Sequence, residues 1–287
     1  MENKKRGKKT MWLILGIVAV VIIGIIIFFN IPYSKTKSEF NRVITEHISK
    51  TEIINDIFTE NDIQELPDPV RKYFEYCGYI GTPKMSYMKA EFKNVNFMMS
   101  SKKLKIDYTQ YNFVNEPIRI AFIDTTLYGI PFQGLDSFQN GIGGMKGVIG
   151  KLITLFDQKG KAMDKASLVT YLSECLIVPS VALQDFITWE TIDDTHASAT
   201  ISYYGISTSG IFTFNEKGEM VEFTTNDREA TQTDGTSQQV PWSAILQDYK
   251  EIGGIKQPTV FKAIWHYDDG DIVYFESYKG QIKYDCD

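Results

Sequence analysis

The stretch GIGGMKGVIGKLITLF, Gly141 to Phe156, decides how the chain is read, because it fits two opposite folds. Drawn as a helix, it gathers Ile142, Met145, Val148, Ile149, Leu152, Ile153 and Phe156 on one side, with the glycines, Lys146 and Lys151 on the other. Short helices that lie on membrane surfaces share that pattern. Yet glycine recurs at Gly141, Gly144, Gly147 and Gly150, and each costs a helix interior about 1 kcal/mol relative to alanine. Drawn as a strand, it puts Met145, Gly147, Ile149, Lys151, Ile153 and Leu155 on one face, and glycine in a strand marks a bend or a close approach. A bent strand is preferred, with a helix packed on the sheet as the alternative. A phosphate loop is excluded. Leu152 follows Gly150 and Lys151 where GxxxxGK needs Ser or Thr, and Lys146 replaces the last glycine of GxGxxG.

Outward from this stretch the pattern has period two. MSYMKAEFKNVNFMM, KLKIDYTQYNFV and IRIAFIDTTLYG are rich in aromatic and β-branched residues and read as consecutive antiparallel strands. On the other side, DKASLVTYLSECLIVP places Leu168, Leu172, Cys175 and Leu176 on one helical face, so a helix is expected from Lys165 to Val178, stopped by Pro179. Strands then resume, with hairpin signals at NEKGE, at Gly253 with Gly254, and at DDGD. The polar run Ala230 to Gln239 reads as a mobile loop. The expected fold is mainly β with helices (α+β): a transmembrane helix, then a curved antiparallel sheet or half-barrel with an inserted helix.

At the N-terminus, Met11 to Phe29 is nineteen residues without a charge, about 28 Å as a helix and close to the thickness of a bilayer core. Lys4, Lys5, Arg6, Lys8 and Lys9 precede it, which holds the N-terminus on the cytoplasmic side and exports the rest. A cleaved signal peptide is the competing form, but FFNIPYSKTK offers no small-x-small cleavage site. The expected division is a cytoplasmic basic tail (1–10), a transmembrane anchor (11–31), a helical stalk or docking helix (32–65) and an exported β-rich domain (66–287). Within these bounds, Lys37 to Phe58 has helical spacing, and Pro69 to Cys77 reads as a short helix capped by Asp68 and ended by Gly78.

Without the five basic residues and one acid of the tail, the chain holds 25 basic and 35 acidic residues, a net charge of about −10. That excludes nucleic acid as a partner, since polyanion binding needs Lys and Arg to neutralise phosphates, and it disfavours docking on an anionic membrane surface. Cys77, Cys175 and Cys286 are far apart and odd in number, so at least one is a free thiol. Catalytic and metal signatures are wanting. GISTSG at 205–210 lacks the glycine of a GxSxG elbow, and SxxK at Ser100 to Lys103 stands without companion motifs. Asp193 with Asp194, and Asp268, Asp269 and Asp271, fall at turns, where aspartate belongs for backbone reasons. His266 in AIWHYDD reads as a hydrogen-bonded strand residue with no legible catalytic partner. No catalytic residue, metal ligand or cofactor is therefore expected.

Three stretches, LPDPVRKYFEYCGYIG, YLSECLIVPSVAL with WETIDDTHASATI, and VPWSAILQDYKEIGGIKQPT, resemble in order a family of uncharacterised bacterial membrane-associated proteins with LPxPVxxY…G and PWxxxxxDYxxxxGxxxP motifs. The last motif also resembles a hairpin of Lol-type lipoprotein carriers. That resemblance implies a half-barrel closed by helices around an apolar cavity. The expected function is a membrane-anchored extracytoplasmic binding domain for a lipid, lipidated peptide or other apolar ligand. A protein-interaction or envelope-sensing module and an unrecognised hydrolase are the alternatives. Candidate ligand contacts are Met145, Ile149, Leu172, Leu176 and Trp189, with Trp242 and Trp265 at the rim.

Overall fold

The period-two segments form strands. The computed structural model describes residues 2–99, 102–231 and 236–285; Cys286, Ser100 and the middle of the polar run 230–239 lie outside them. Helices α1 (Glu2–Asn30), α2 (Lys35–Lys50), α3 (Glu60–Ile63) and α4 (Asp68–Cys77) come first. A meander follows: β1 (Tyr87–Met99), β2 (Lys102–Phe113), β3 (Ile118–Leu127), β4 (Ile130–Gln139), β5 (Ile142–Ile149) and β6 (Ile153–Lys159). After α5 (Lys161–Ser173) and α6 (Pro179–Ala182) come β7 (Ile187–Thr191), β8 (His196–Tyr203), β9 (Ile206–Phe214), β10 (Met220–Thr225), β11 (Glu229–Thr231) and β12 (Ser237–Gln239). The last elements are β13 (Trp242–Gln247), β14 (Lys250–Ile252), β15 (Ile255–Gln257), β16 (Val260–Tyr267), β17 (Gly270–Ser277) and β18 (Gln281–Tyr284).

The main sheet runs β6-β5-β4-β3-β2-β1-β17-β16-β13-β10-β9-β8-β7, with β18 beside the start of β1, and β6 and β7 are its open edges. Every pairing is antiparallel. The chain passes from one edge to the other through α5, which packs on β5 and β6 as well as on β8 and β9. A flat sheet cannot put both edges against one helix, so the sheet curves around it. Leu168, Val169 and Leu172 on α5 are fully buried, each stabilising the fold by about 1.5–3 kcal/mol.

The stretch Gly141 to Phe156 is a hairpin rather than one bent strand. Gly150 (φ 59°) and Lys151 (φ 64°) are both left-handed, which closes a tight turn between Ile149 and its partner Ile153. The side-chain alternation therefore restarts after Ile149. Upstream, Gly143 is the close approach. A Cβ there would meet the Met163 carbonyl oxygen at 2.3 Å and Ser167 Oγ at 2.5 Å, so α5 lies directly on the bare backbone of β5.

Alternation also makes a second layer. Tyr111, Phe113, Ile120 and Phe122 point to the convex face, where Phe40 and Ile44 of α2 cover them in a separate apolar cluster. His47 to Gln139 at 3.0 Å and Lys146 to Glu39 at 3.1 Å tie the same helix down. Helix α2 ends at Lys50 rather than Phe58. The chain beyond is neither helix nor strand as far as an isolated bridge between Ile57 and Pro83. Helix α4 begins at Asp68, one residue before the expected Pro69, so Asp68 lies in its first turn rather than capping it, and it ends on left-handed Gly78. Helix α5 stops at Ser173, five residues before the expected end, and the chain goes on in tighter i to i+3 turns, Cys175 to Leu172 and Ile177 to Glu174.

Candidate functional site

Between the concave face and α5 the side chains do not meet everywhere. A cavity of about 310 Å³ remains, near the lower bound of about 300 Å³ for ligand pockets. Small side chains face it from paired strands, Ala244 of β13 opposite Ala263 of β16. Aromatic and apolar groups supply most of the wall, among them Phe92, Phe97, Ile123, Phe261 and Phe275. A second lobe of about 170 Å³ shares Phe97, Ile123 and Met145 with the first and runs on to Phe132, Phe156, Leu104 and Met99.

Of the residues singled out in the sequence, Met145, Trp242 and Trp265 stand on this wall. Leu172 and Leu176 are buried in the main core, and Ile149 is half-buried near the end of the β5–β6 hairpin. Trp189 packs on Phe212 at 5.1 Å and donates its indole N–H to the Ala182 carbonyl at 3.0 Å.

One part of the wall is polar. Arg119 of β3, only 7% exposed, donates from Nη1 to Asp136 at 2.7 Å and from Nε to both Glu174 oxygens at 3.2 and 3.0 Å. Its Nη2 donates to Tyr108 Oη at 2.8 Å and to Gln110 Oε1 at 3.0 Å. Gln110 and Asn112 complete Glu174 by donating at 2.8 and 2.7 Å. Burial works against the Arg119 charge, but Glu174, Tyr108 and Asp136 outweigh it and hold the guanidinium protonated. Burial pushes the Tyr108 hydroxyl well above its ordinary range. With one cation and two carboxylates, this wall carries a surplus negative charge.

The other polar feature is Arg228, just after β10. Its guanidinium carbon lies over the rings of Trp242 at 4.4 Å and Trp265 at 5.1 Å, a cation–π platform. Trp242 donates its indole N–H to Tyr274 Oη at 3.1 Å, which fixes the platform. Asp227 beside it accepts from Lys165 at 2.7 Å and from the Ser209 N–H at 2.9 Å, pinning this loop to α5 and β9.

Sequence reading passed over Arg119, Glu174, Asp136 and Arg228. Two of them were visible as lone charges inside apolar runs, Arg119 in PIRIAF and Glu174 in YLSECLIV, where an unpaired charge would be costly to bury. Arg228 lies in a polar loop with no local signal.

His266 has partners on both sides: Ser243 Oγ to Nε2 at 2.9 Å and Asp271 to Nδ1 at 2.8 Å. The distances match a Ser-His-Asp relay. The setting does not. Ser243 is 0% exposed in mid-strand, and none of the three residues lines the cavity. Asp193 accepts from the Thr195 N–H at 2.8 Å and bonds His196, as a turn aspartate does.

A family model matches residues 56–277. The chain belongs to DUF6544, a family of unknown function. No curated protein sequence matches it. Among solved structures, this DUF6544 chain is similar to a LolA-superfamily protein from Nitrosomonas europaea, at 13% identity and TM-score 0.39, over 76% of this chain and 94% of that one. It is also similar to a putative outer membrane lipoprotein-sorting protein domain from Vibrio parahaemolyticus (9%, TM-score 0.37, 71% of this chain and 86% of that one). A DUF1329-family protein from Desulfovibrio piger follows (12%, TM-score 0.31, 76% and 94%).

Proposed function

We propose that this protein is a membrane-anchored extracytoplasmic binding domain whose two-lobed cavity takes one amphiphile, a lipid or lipidated peptide. The observation that carries this is the cavity itself. Its lining is mainly apolar, small side chains hold it open, and charged groups stand on parts of the wall, around Arg119 and at Arg228 among them, the arrangement that suits an acyl chain with a polar end. Anchoring is supported by α1, whose apolar side chains from Met11 to Ile27 are exposed, and by the basic residues ahead of it.

Titration of the full chain with a dansyl-labelled undecanoic acid tests the proposal. Saturable one-to-one binding that Ala263→Phe abolishes by filling the cavity supports it. Binding that never saturates, or that Ala263→Phe leaves unchanged, refutes it.

A further inference from the structure

The structure assigns the place of the ligand's polar end: we infer that Arg228 is the counter-ion for an acidic head group, phosphate or carboxylate, of an amphiphile whose chain fills the apolar lobes. This rests on the cavity being the binding site proposed above. Nε and Nη1 of Arg228 are buried and have no hydrogen-bond acceptor among the described residues, although the side chain lines the cavity. A buried donor left unmade is costly, and more so when charged.

Asp227 is committed to Lys165 and Ser209, and Asp136 and Glu174 to Arg119. Glu229 also lines the cavity, from an exposed position, and no ion pair joins it to Arg228 among the described residues. The Trp242–Trp265 platform holds the guanidinium plane in position, and each of its forks, Nε with Nη2 and Nη1 with Nη2, suits two oxygens of one anion. The surplus negative charge around Arg119 turns an acidic group away from that wall, so the two polar features orient the ligand. A free anion gains little here, because the part of the chain beyond the tail carries about −10 and only burial of a chain offsets that field.

The test uses the full chain in a nonionic amphipol, titrated with dodecyl phosphate, dodecan-1-ol and inorganic phosphate and followed by tryptophan fluorescence. Arg228→Met is run in parallel so that partition into the amphipol cancels. Dodecyl phosphate is expected to bind at least tenfold tighter than the alcohol. Arg228→Met loses that preference, so that phosphate and alcohol bind alike, and Arg228→Lys keeps part of it. If Arg228→Met does not fold, the wild-type comparison of phosphate with alcohol and the Lys variant decide. Equal binding of the two dodecyl compounds, or a preference that survives Arg228→Met, overturns the role of Arg228 and leaves the cavity proposal standing. Arg228-dependent binding of inorganic phosphate that the dodecyl chain does not strengthen overturns the amphiphile and assigns a free anion. If neither dodecyl compound binds, the cavity proposal itself falls.

A separate observation concerns the bilayer. Lys151, at the β5–β6 turn, donates from Nζ to the carbonyls of Phe28, in the last turn of α1, and of Ile31, just after the helix, and the Phe29 ring lies beside Gly150. Around that junction Tyr128, Ile130, Leu152, Ile153 and Leu155 are exposed. We propose that these residues sit in the interfacial layer of the membrane that α1 crosses, seating the sheet edge on it. The contact is apolar, so it needs no anionic lipid.

Leu152→Cys and Leu155→Cys, each in a Cys286→Ser background and labelled with an environment-sensitive dye, test this in phosphatidylcholine nanodiscs. Blue-shifted emission, quenched by spin-labelled lipid, is expected at both sites and absent from Glu190→Cys. Emission at both sites indistinguishable from that at 190 overturns it.

Discussion

Nε of Arg119 donates to both oxygens of Glu174, at 3.2 and 3.0 Å, and so joins the strand β3 to the residue that ends α5. The contact supplies a polar part of the cavity wall. Removing Glu174 leaves Arg119 with Asp136 as its one carboxylate and the Asn112 amide without its acceptor, at a cost of about 1–3 kcal/mol. Glu174→Ala should lower the stability of the full chain by that order. Urea denaturation followed by circular dichroism checks it, and a loss under about 1 kcal/mol would contradict the network.

Gly143→Ala should destabilise by about 1–3 kcal/mol, as overpacking does, because the new methyl meets the Met163 carbonyl oxygen at 2.3 Å. The obstacle is helix backbone, which a rotamer change cannot relieve. A fall in melting temperature with the fold retained is the expected result.

Cys77 and Cys175 are buried free thiols. Burial pushes Cys77 up to about 12 and Cys175 well above its ordinary value. At pH 8 the Cys77 thiolate is then about one part in ten thousand, whereas an unfolded thiol near pKa 8.5 is partly ionised. Because the folded values are raised, these thiols cost no stability below about pH 8.5 and lower it as pH rises above that. In a Cys286→Ser chain, alkylation by iodoacetamide at pH 8 should be negligible until denaturant is added.

Asp227 supplies a pH dependence of opposite sense. Burial raises its pKa, but the bonds from Lys165 and Ser209 prevail and hold it below the usual 3.8. A depressed carboxylate contributes stability above its unfolded value and loses it as pH falls through the folded one. Asp227→Asn should therefore be less stable than wild type by about 1 kcal/mol or less at pH 6, the side chain being a third exposed. The gap should close below pH 3.8, and denaturation midpoints at pH 6 and pH 3 measure it.

The strands are legible because their residues alternate between the two faces and are aromatic and β-branched: KLKIDYTQYNFV gives Tyr108, Gln110 and Asn112 to the inner face and Tyr111 and Phe113 to α2. Gly78 and the Gly253–Gly254 turn were readable because left-handed backbone selects glycine. The hairpin at Gly150 was hidden, since Lys151 is a non-glycine residue with positive φ and the local pattern continues through it. Helix α5 is shorter than its spacing predicts because Leu172, Cys175 and Leu176 stay buried while the backbone after Ser173 tightens into turns, and apolar spacing does not tell the two apart. The cavity was the least legible feature. Met145, Trp242 and Trp265 look like Leu172 and Leu176 in sequence, and only the curvature of the sheet separates wall from core.

The most direct test of the central claim is native mass spectrometry of the full chain released from a nonionic amphipol, wild type against Ala263→Phe. The account predicts a wild-type population carrying one amphiphile with an acidic head group, and a bare Ala263→Phe chain. A wild-type protein that is reproducibly empty, or an adduct equally abundant on both chains, would contradict it.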